Sequence, residues 1–261
     1  MFVVNLMFAG FLMLELFVKD LSVWVPTLEL ESDIQAWADG GETVLDDGSA
    51  PKVASVPPAM RRRLGRLGKI SLYVAGELIE RNGYMPSIFC SRHGEIQTTI
   101  QMLKDLIWND EISPTKFSLS VHNAISGIFT IANKSDLPTT AITAGEQDLI
   151  NCFYEAYAQL KTGDAKQVLC VIYDEPIPEE YQRYCPLPPY PYAIGLVLGL
   201  EEGIKCSISQ VECGGGAIEE GSIGVMALEF VKAMLKKESN TELKINSGET
   251  QKTWKVEFEN Y

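Results

Sequence analysis

The chain has 261 residues, of which 46% are hydrophobic and 22% charged, so it can bury a full core and is neither disordered nor a coiled coil. It has 22 lysine and arginine residues against 35 aspartate and glutamate residues, a net charge of −13. This excess of acid opposes attraction to phosphate backbones and anionic lipids, and nucleic acid is excluded as the expected partner.

The first segment, residues 1–14, is apolar apart from Asn5 and shorter than the roughly 18 apolar residues that a spanning helix needs. It also lacks the basic start of a signal peptide. Two interpretations remain open: a buried edge segment, or an upstream extension over residues 1–12 with natural initiation at Met13. We expect residues 13–261 to form a single domain without a membrane span.

The first half of the chain alternates strand and helix patterns. A strand is predicted over 17–25, then an acidic loop over 29–58 with a short helix near 34–37. A helix that ends at Asn82-Gly83 precedes a strand over 86–90. Apolar residues then recur at the helical spacing of an amphipathic helix: Ile96, Ile100, Leu103 and Ile107. A strand or extended loop over 117–121, a helix over 123–133 and an extended segment over 138–142 follow.

The second half begins with Thr143-Ala144-Gly145-Glu146, which has the form of a capping box. The helix behind it closes at Gly163. Continuously apolar runs at 167–173 and 192–200 predict strands covered on both faces, and the proline-rich segment between them predicts an ordered loop or lid. A helix over 225–235 and a strand over 253–258 complete an α/β fold.

The six cysteines are scattered without a CxxC pair, which is typical of reduced, buried thiols in a cytoplasmic protein. With His93 and His122 as the two histidines and no metal-ligand spacing, we expect neither a metal nor another cofactor. The glycines at 214–216 lack the spacing of a phosphate loop and predict a turn.

Two further features each have a structural and a functional interpretation. Arg61, Arg62 and Arg63 lie at a predicted helix start, where basic residues oppose the helix dipole; they form either a solvated face or a docking site for an acidic carrier protein or partner. His122 is either structural or an acid–base residue, although no carboxylate or cysteine is tied to it by sequence.

Three segments carry a family resemblance: RRLGRL at 62–67, SLSVHNAISG at 118–127 and KTGDA at 161–165. They resemble the R-R-M-D-R-F helix start, the V-N-[MA]-x-[AS]-G segment and the turn after the nucleophile helix of β-ketoacyl synthases. The resemblance implies the N-terminal half of a thiolase-like fold, with a mixed sheet of the five-stranded type flanked by helices. Together with MLELFVKD at 13–20 and WKVE at 254–257, it is closer to the short chain length factors of aryl polyene biosynthesis.

The resemblance places the ketosynthase cysteine, in T-A-C-x-[TS], about 23 residues after Asn123 and about 17 before Gly163. Both counts land on Glu146, so the thiolate that acyl transfer requires is absent. Cys152 lies almost two turns further along the helix. No histidine follows His122, so the histidines that drive malonyl decarboxylation are also missing. We interpret Thr143, Glu146 and Gln147 as structural; support of malonyl decarboxylation by Glu146 or Gln147 is the sharper alternative.

The resemblance thus implies a non-catalytic chain length factor that pairs with a full-length ketosynthase, serves chains on acyl carrier protein and bounds the acyl tunnel. By the same analogy, the tunnel floor is expected to comprise His93, Ile96, Ile100 and Phe117; core packing is the alternative for the two isoleucines. A second hypothesis is a stand-alone acyl-thioester enzyme, a decarboxylase or acyltransferase that uses Cys152 or His122.

Overall fold

A computed structural model describes residues 13–41, 43–163, 165–182, 188–211, 225–247 and 250–261. The strands are β1 (Met13–Trp24), β2 (Ser87–Cys90), β3 (Thr139–Ile142), β4 (Gln167–Asp174), β5 (Tyr192–Gly199), β6 (Ile204–Val211), β7 (Asn240–Ser247) and β8 (Thr250–Glu259). The α-helices are α1 (Glu31–Ala38), α2 (Pro58–Arg61), α3 (Arg66–Asn82), α4 (Ile96–Asn109), α5 (Pro114–Ser120), α6 (Ala124–Asn133), α7 (Asp148–Thr162), α8 (Glu179–Gln182) and α9 (Met226–Leu235).

The strands form one mixed sheet in the order β3-β2-β4-β5-β1-β6-β8-β7. Strand β2 is parallel to β3 and β4, whereas the remaining neighbours are antiparallel. The mixed α/β architecture is confirmed, but the expected five-stranded sheet has eight strands. The difference arises because β6, β8 and β7 continue the sheet by antiparallel pairing beyond β1.

Two hydrophobic cores lie on the two faces of this sheet. Helices α3 and α6 cover one face, and α1, α7 and α9 cover the other. Strands β4 and β5 are buried almost throughout, as their continuous apolar runs predict. Helix α3 packs so closely on β5 that a Cβ at Gly195 would lie 2.5 Å from Leu78 Cδ1. A larger residue at this position would push the helix off the sheet.

Most predicted elements are confirmed to within a few residues, including the stop of α3 at Gly83, which has a φ of 77°. The prediction of extended chain over 117–121 is wrong, because α5 occupies this segment up to Ser120. Ser113 accepts a hydrogen bond from the Lys116 amide and Pro114 takes the first helical position, so a helix begins there.

Several expectations fall outside the described residues: the possible extension over 1–12, the glycine turn at 214–216 and part of the proline-rich segment. Four cysteines that the structure describes are confirmed as buried free thiols: Cys90, Cys152, Cys170 and Cys206. None of the helices in the described ranges combines the length and apolarity needed to cross a bilayer.

Candidate functional site

The turn between β3 and α7 is the place where the missing nucleophile is expected. Gly145 begins a short 3₁₀ turn, Gly145–Gln147, and has a φ of 58°. A strained residue at a strand-to-helix turn is how serine hydrolases present their nucleophile. The residue in the left-handed conformation is Gly145, one position before Glu146. Neither position has a thiol.

The predicted capping box is wrong. The 3₁₀ turn separates Thr143 from α7, which begins at Asp148 without a side-chain cap. The Thr143 hydroxyl instead donates to the Arg92 carbonyl at 3.1 Å, and Arg92 Nε donates to the Gly145 carbonyl at 3.1 Å. Thr143 therefore holds the turn to the loop after β2 rather than capping a helix.

Asp174 at the end of β4 anchors that loop, residues 91–94. Its carboxylate accepts hydrogen bonds from the Ser91 hydroxyl at 2.9 Å, from the Arg92 amide at 3.1 Å and from the His93 amide at 3.3 Å. The Tyr192 hydroxyl donates to the same carboxylate at 3.4 Å. Burial raises the pKa of Asp174, whereas these hydrogen bonds oppose the increase. The carboxylate thus fixes the position of His93.

Asp148, the first residue of α7, lies in the same buried cluster. It is 5% exposed, and its Oδ1 has no hydrogen-bond partner. Burial, followed by repulsion from Asp174, raises the pKa of Asp148 to about 7. Sequence reasoning missed both aspartates, although Asp174 ends a continuous apolar strand and Asp148 precedes the apolar face of a helix.

The two residues that would support independent catalysis have structural roles. His122 Nε2 is 2.8 Å from the Ile142 carbonyl, so it ties the start of α6 to the end of β3. Cys152 is fully buried in α7, and burial raises the pKa of its thiol well above the ordinary value. A buried thiol of this kind is a weak nucleophile.

The four predicted tunnel residues lie on neighbouring elements, and α4 packs on α5. His93 is half-buried in the loop before α4, and burial, then Arg92, lowers its pKa. Ile96 and Ile100 are half-buried on α4, whereas Phe117 is exposed on α5. None of the four lines the cavity described below.

The apolar face of α4 is not part of the core. Only Met102 is buried in this helix, while Ile107 is 75% and Trp108 71% exposed. Six further exposed apolar side chains lie along α4, α5 and α6: Leu103, Leu106, Ile112, Phe117, Val121 and Ile131. Together with Ile107 and Trp108, we call these residues the α4–α6 surface. Helix α6 packs on β3, which in the described sheet is an edge strand bonded to β2 alone.

A cavity of about 420 Å³ lies on the other side of α4, between this helix, the α2–α3 junction, α5 and α6. Its apolar wall is formed by Leu64, Leu119, Ala124, Ile125 and Ile128, and its polar wall by Arg63, Gly65, Glu95, Gln97, Thr98, Gln101 and Lys116. This volume is within the range of about 300–1,000 Å³ that is typical of small-molecule sites.

The three arginines do not begin a helix, contrary to the prediction. Arg61 lies in the last turn of α2, where the dipole favours a cation, and donates to the Val53 carbonyl at 3.1 Å. Arg62 and Arg63 are exposed before α3, and neither forms an ion pair within the described ranges. The described residues also contain no cluster of side chains that could hold a metal ion.

Comparison with known proteins relates this architecture to one family. Residues 34–255 match the family model described as the N-terminal domain of β-ketoacyl synthase. Among curated proteins, none matches the chain.

Solved structures of ketosynthases and their chain length factors are also similar to this chain. The complex of the ketosynthase ApeO with its chain length factor ApeC from Xenorhabdus doucetiae contains a chain with a TM-score of 0.77 and 26% identity, matching 92% of this chain and 99% of that one. The ishigamide ketosynthase/chain length factor has a TM-score of 0.69 at 9% identity and matches 93% and 98% of the two chains. A β-ketoacyl synthase from Burkholderia phymatum has a TM-score of 0.57 at 12% identity over 87% and 72%. The last two likenesses concern the fold, and the expected thiolase-like class is confirmed.

Proposed function

We propose, from the premise that this chain belongs to the family of β-ketoacyl synthase N-terminal domains, that it is a non-catalytic chain length factor. In this role it pairs with a full-length ketosynthase and bounds the tunnel for the growing acyl chain. The ketosynthase performs the condensation, and this chain limits the length of the product.

The observation that carries the proposal is the uncovered α4–α6 surface. Eight large apolar side chains, Ile107 and Trp108 among them, lie exposed on α4, α5, α6 and the short segments that join them; α5 packs on both α4 and α6. Exposed apolar patches of this kind mark protein interfaces. The neighbouring strand β3 has one unpaired edge in the described sheet, and an unpaired edge can accept a strand from another chain.

The turn after β3 supports a non-catalytic role. By the sequence resemblance, the thiolate of a ketosynthase would fall at Glu146, next to Gly145 in its left-handed conformation, and neither residue carries a thiol. A carboxylate would form a mixed anhydride with an acyl group, which is less stable than the thioester that enters. Arg92, Thr143 and Asp148 hold the turn in place without a nucleophile to present.

The proposed mechanism of length control is steric. Ile96, Ile100 and Phe117 lie on or beside the α4–α6 surface, and His93 lies in the loop before α4. Once a ketosynthase covers this surface, these side chains would form the floor of an apolar tunnel between the subunits. An extra methylene in a packed pocket costs about 1–3 kcal/mol, which is enough to favour one product length.

The proposal includes the class of the product and the acyl carrier protein as a partner. The product we propose is of the aryl polyene class, as the sequence resemblance implies; the complex from Xenorhabdus doucetiae supports the pairing of such a chain with a ketosynthase. A complex of a ketosynthase with acyl-carrier protein is among the similar structures. Arg62 and Arg63 are exposed cations that could contact an acidic carrier protein. Arg61 donates to the Val53 carbonyl, and Arg62 Nε donates to the Pro58 carbonyl at 3.3 Å.

The alternative, a stand-alone acyl-thioester enzyme, finds less support. Cys152 is buried and has a raised pKa, so its thiol is protonated and out of reach of an acyl donor. His122 uses Nε2 for the Ile142 carbonyl.

Co-expression tests the pairing directly. The chain is produced with a full-length ketosynthase from the same organism and, separately, alone. We expect a stable one-to-one complex from co-expression, and a self-associated or poorly soluble protein when the chain is made alone, because the α4–α6 surface then stays uncovered. A monodisperse monomer that does not bind the ketosynthase would contradict the proposal.

A further inference from the structure

The carboxylate of Asp174 holds the loop that leads into α4. Asp174 is 1% exposed at the end of β4, and a buried carboxylate is costly unless hydrogen-bond donors surround it. Three consecutive residues of the loop donate to it, through the Ser91 hydroxyl, the Arg92 amide and the His93 amide. Successive backbone amides that converge on one anion form a nest. The path of the loop therefore depends on the position of one side chain.

The constraint extends from the loop to the first turn of α4. The Gly94 amide donates to Ser91 Oγ at 2.8 Å, and the Ile96 amide donates to the Gly94 carbonyl at 2.8 Å. Gly94 has a φ of 56°, and a Cβ at this position would lie 3.1 Å from His122 Nδ1. Hydrogen bonds on one side and close packing on the other therefore leave the loop little room to move.

A second contact from the same end of β4 holds the helix itself. Gln97 Nε2 donates to the Pro176 carbonyl, two residues after Asp174, at 2.7 Å. The hydrophobic core contributes less, because Met102 is the one buried residue of α4. Polar contacts with the end of β4 therefore fix the place where α4 begins.

We propose that Asp174 is a positioning residue for the length of the product, because it fixes His93 and the first turn of α4, which includes Ile96. The inference rests on the proposed function, since it assigns a determinant of length to the same subunit. Asp174 is buried, so it acts through these residues and not by contact with the acyl chain. A floor that is held by fewer hydrogen bonds occupies more than one position, so its loss broadens the range of product lengths.

Removal of single hydroxyl groups tests the assignment. Asp174→Ala would leave four donors without their acceptor and risks unfolding the chain, so the test removes one donor at a time. Ser91→Ala deletes a bond between the carboxylate and the loop, whereas Tyr192→Phe deletes a bond to the same carboxylate and leaves the loop's own bonds in place. One buried hydrogen bond corresponds to about a fivefold change in an equilibrium. In the complex with the ketosynthase, Ser91→Ala should therefore raise the ratio of neighbouring lengths to the main product about fivefold, and Tyr192→Phe should not change it.

Ser87→Ala, the same substitution at the other end of β2, is the matched control, because this hydroxyl is also buried and donates to Thr139 Oγ1 at 3.0 Å. It should lower the free energy of unfolding, measured by chemical denaturation, without a change in product masses. Unchanged product lengths for Ser91→Ala, or an equal broadening for Ser87→Ala or Tyr192→Phe, would overturn the role of Asp174. Failure of the proposed function is distinguishable, because the wild-type chain would then form no complex with the ketosynthase.

Discussion

At the level of single residues, the turn after β3 is held by hydrogen bonds from its own backbone and from the loop after β2. Gly145 keeps a left-handed conformation, and Arg92 and Thr143 fasten the turn to the loop after β2. Counting residues points to Glu146, and the residue in the left-handed conformation is Gly145, one position earlier. The sequence could not reveal the buried aspartates, because their cluster forms from segments distant in sequence.

Asp148 predicts a pH dependence of stability. Burial, followed by repulsion from Asp174, raises its pKa in the folded chain to about 7, well above the ordinary value of an aspartate, so near neutral pH the folded state holds a proton that the unfolded state releases. Its contribution is therefore most favourable below about pH 4 and is lost as the pH rises through 7. The wild type should therefore lose about 3 kcal/mol of its free energy of unfolding between pH 5 and pH 8, and Asp148→Asn should not show this loss.

Chemical denaturation at the two pH values measures the effect. Asp136→Asn, at an exposed position, serves as the control and should parallel the wild type. Parallel curves for Asp148→Asn and the wild type would show that Asp148 is ionised in the folded chain over this range.

Ile100 tests the steric control of length. Ile100→Ala should lengthen the products of the pair by removing side-chain volume at the tunnel floor, and Ile100→Phe should shorten them. A change of about 1–3 kcal/mol corresponds to a roughly tenfold shift between neighbouring lengths. Product masses from the reconstituted pair give the measurement, with Ile34→Ala on the far face of the sheet as the control. If neither variant changes the distribution, Ile100 does not form the floor.

At the level of elements, α4 shows where sequence periodicity stops being informative. The spacing of Ile96, Ile100, Leu103 and Ile107 predicted an amphipathic helix, and the helix is present. The same pattern describes a face covered by the chain's own core or by another chain, so periodicity could not identify what covers it. Strand β7 illustrates another limit, because in its largely polar sequence, NTELKINS, only Leu243 and Ile245 alternate with polar residues, and its pairing comes from β8.

A charge on α4 should break the pairing while sparing the fold. Ile107 is 75% exposed, so Ile107→Glu should change the free energy of unfolding by less than about 0.5 kcal/mol. In the complex it would bury a carboxylate, and we expect binding to weaken by about 2 kcal/mol or more, roughly 30-fold. Leu45→Glu, an exposed leucine in a loop, is the control. Titration with the ketosynthase decides: unchanged affinity for Ile107→Glu would remove α4 from the interface.

At the level of the whole molecule, the family follows from the sequence more readily than the full sheet does. The core strands β4 and β5 and the helices on both sides are visible as apolar runs and helical spacing. Strand β6 alternates Ile204, Cys206 and Ile208 and could have been found by its period of two. The cavity could not be found in this way, because its lining comes from four separate segments that only the folded chain brings together.

The central claim is that this chain bounds an acyl tunnel and forms no covalent acyl intermediate. In the most direct test, the isolated full chain and, separately, its complex with the ketosynthase are incubated with acyl carrier protein that bears a radiolabelled acyl group. The intact mass of each polypeptide is then measured. The account predicts that label bonds to the ketosynthase subunit and that this chain keeps its unmodified mass. An acyl group covalently attached to this chain in the absence of the ketosynthase would contradict it.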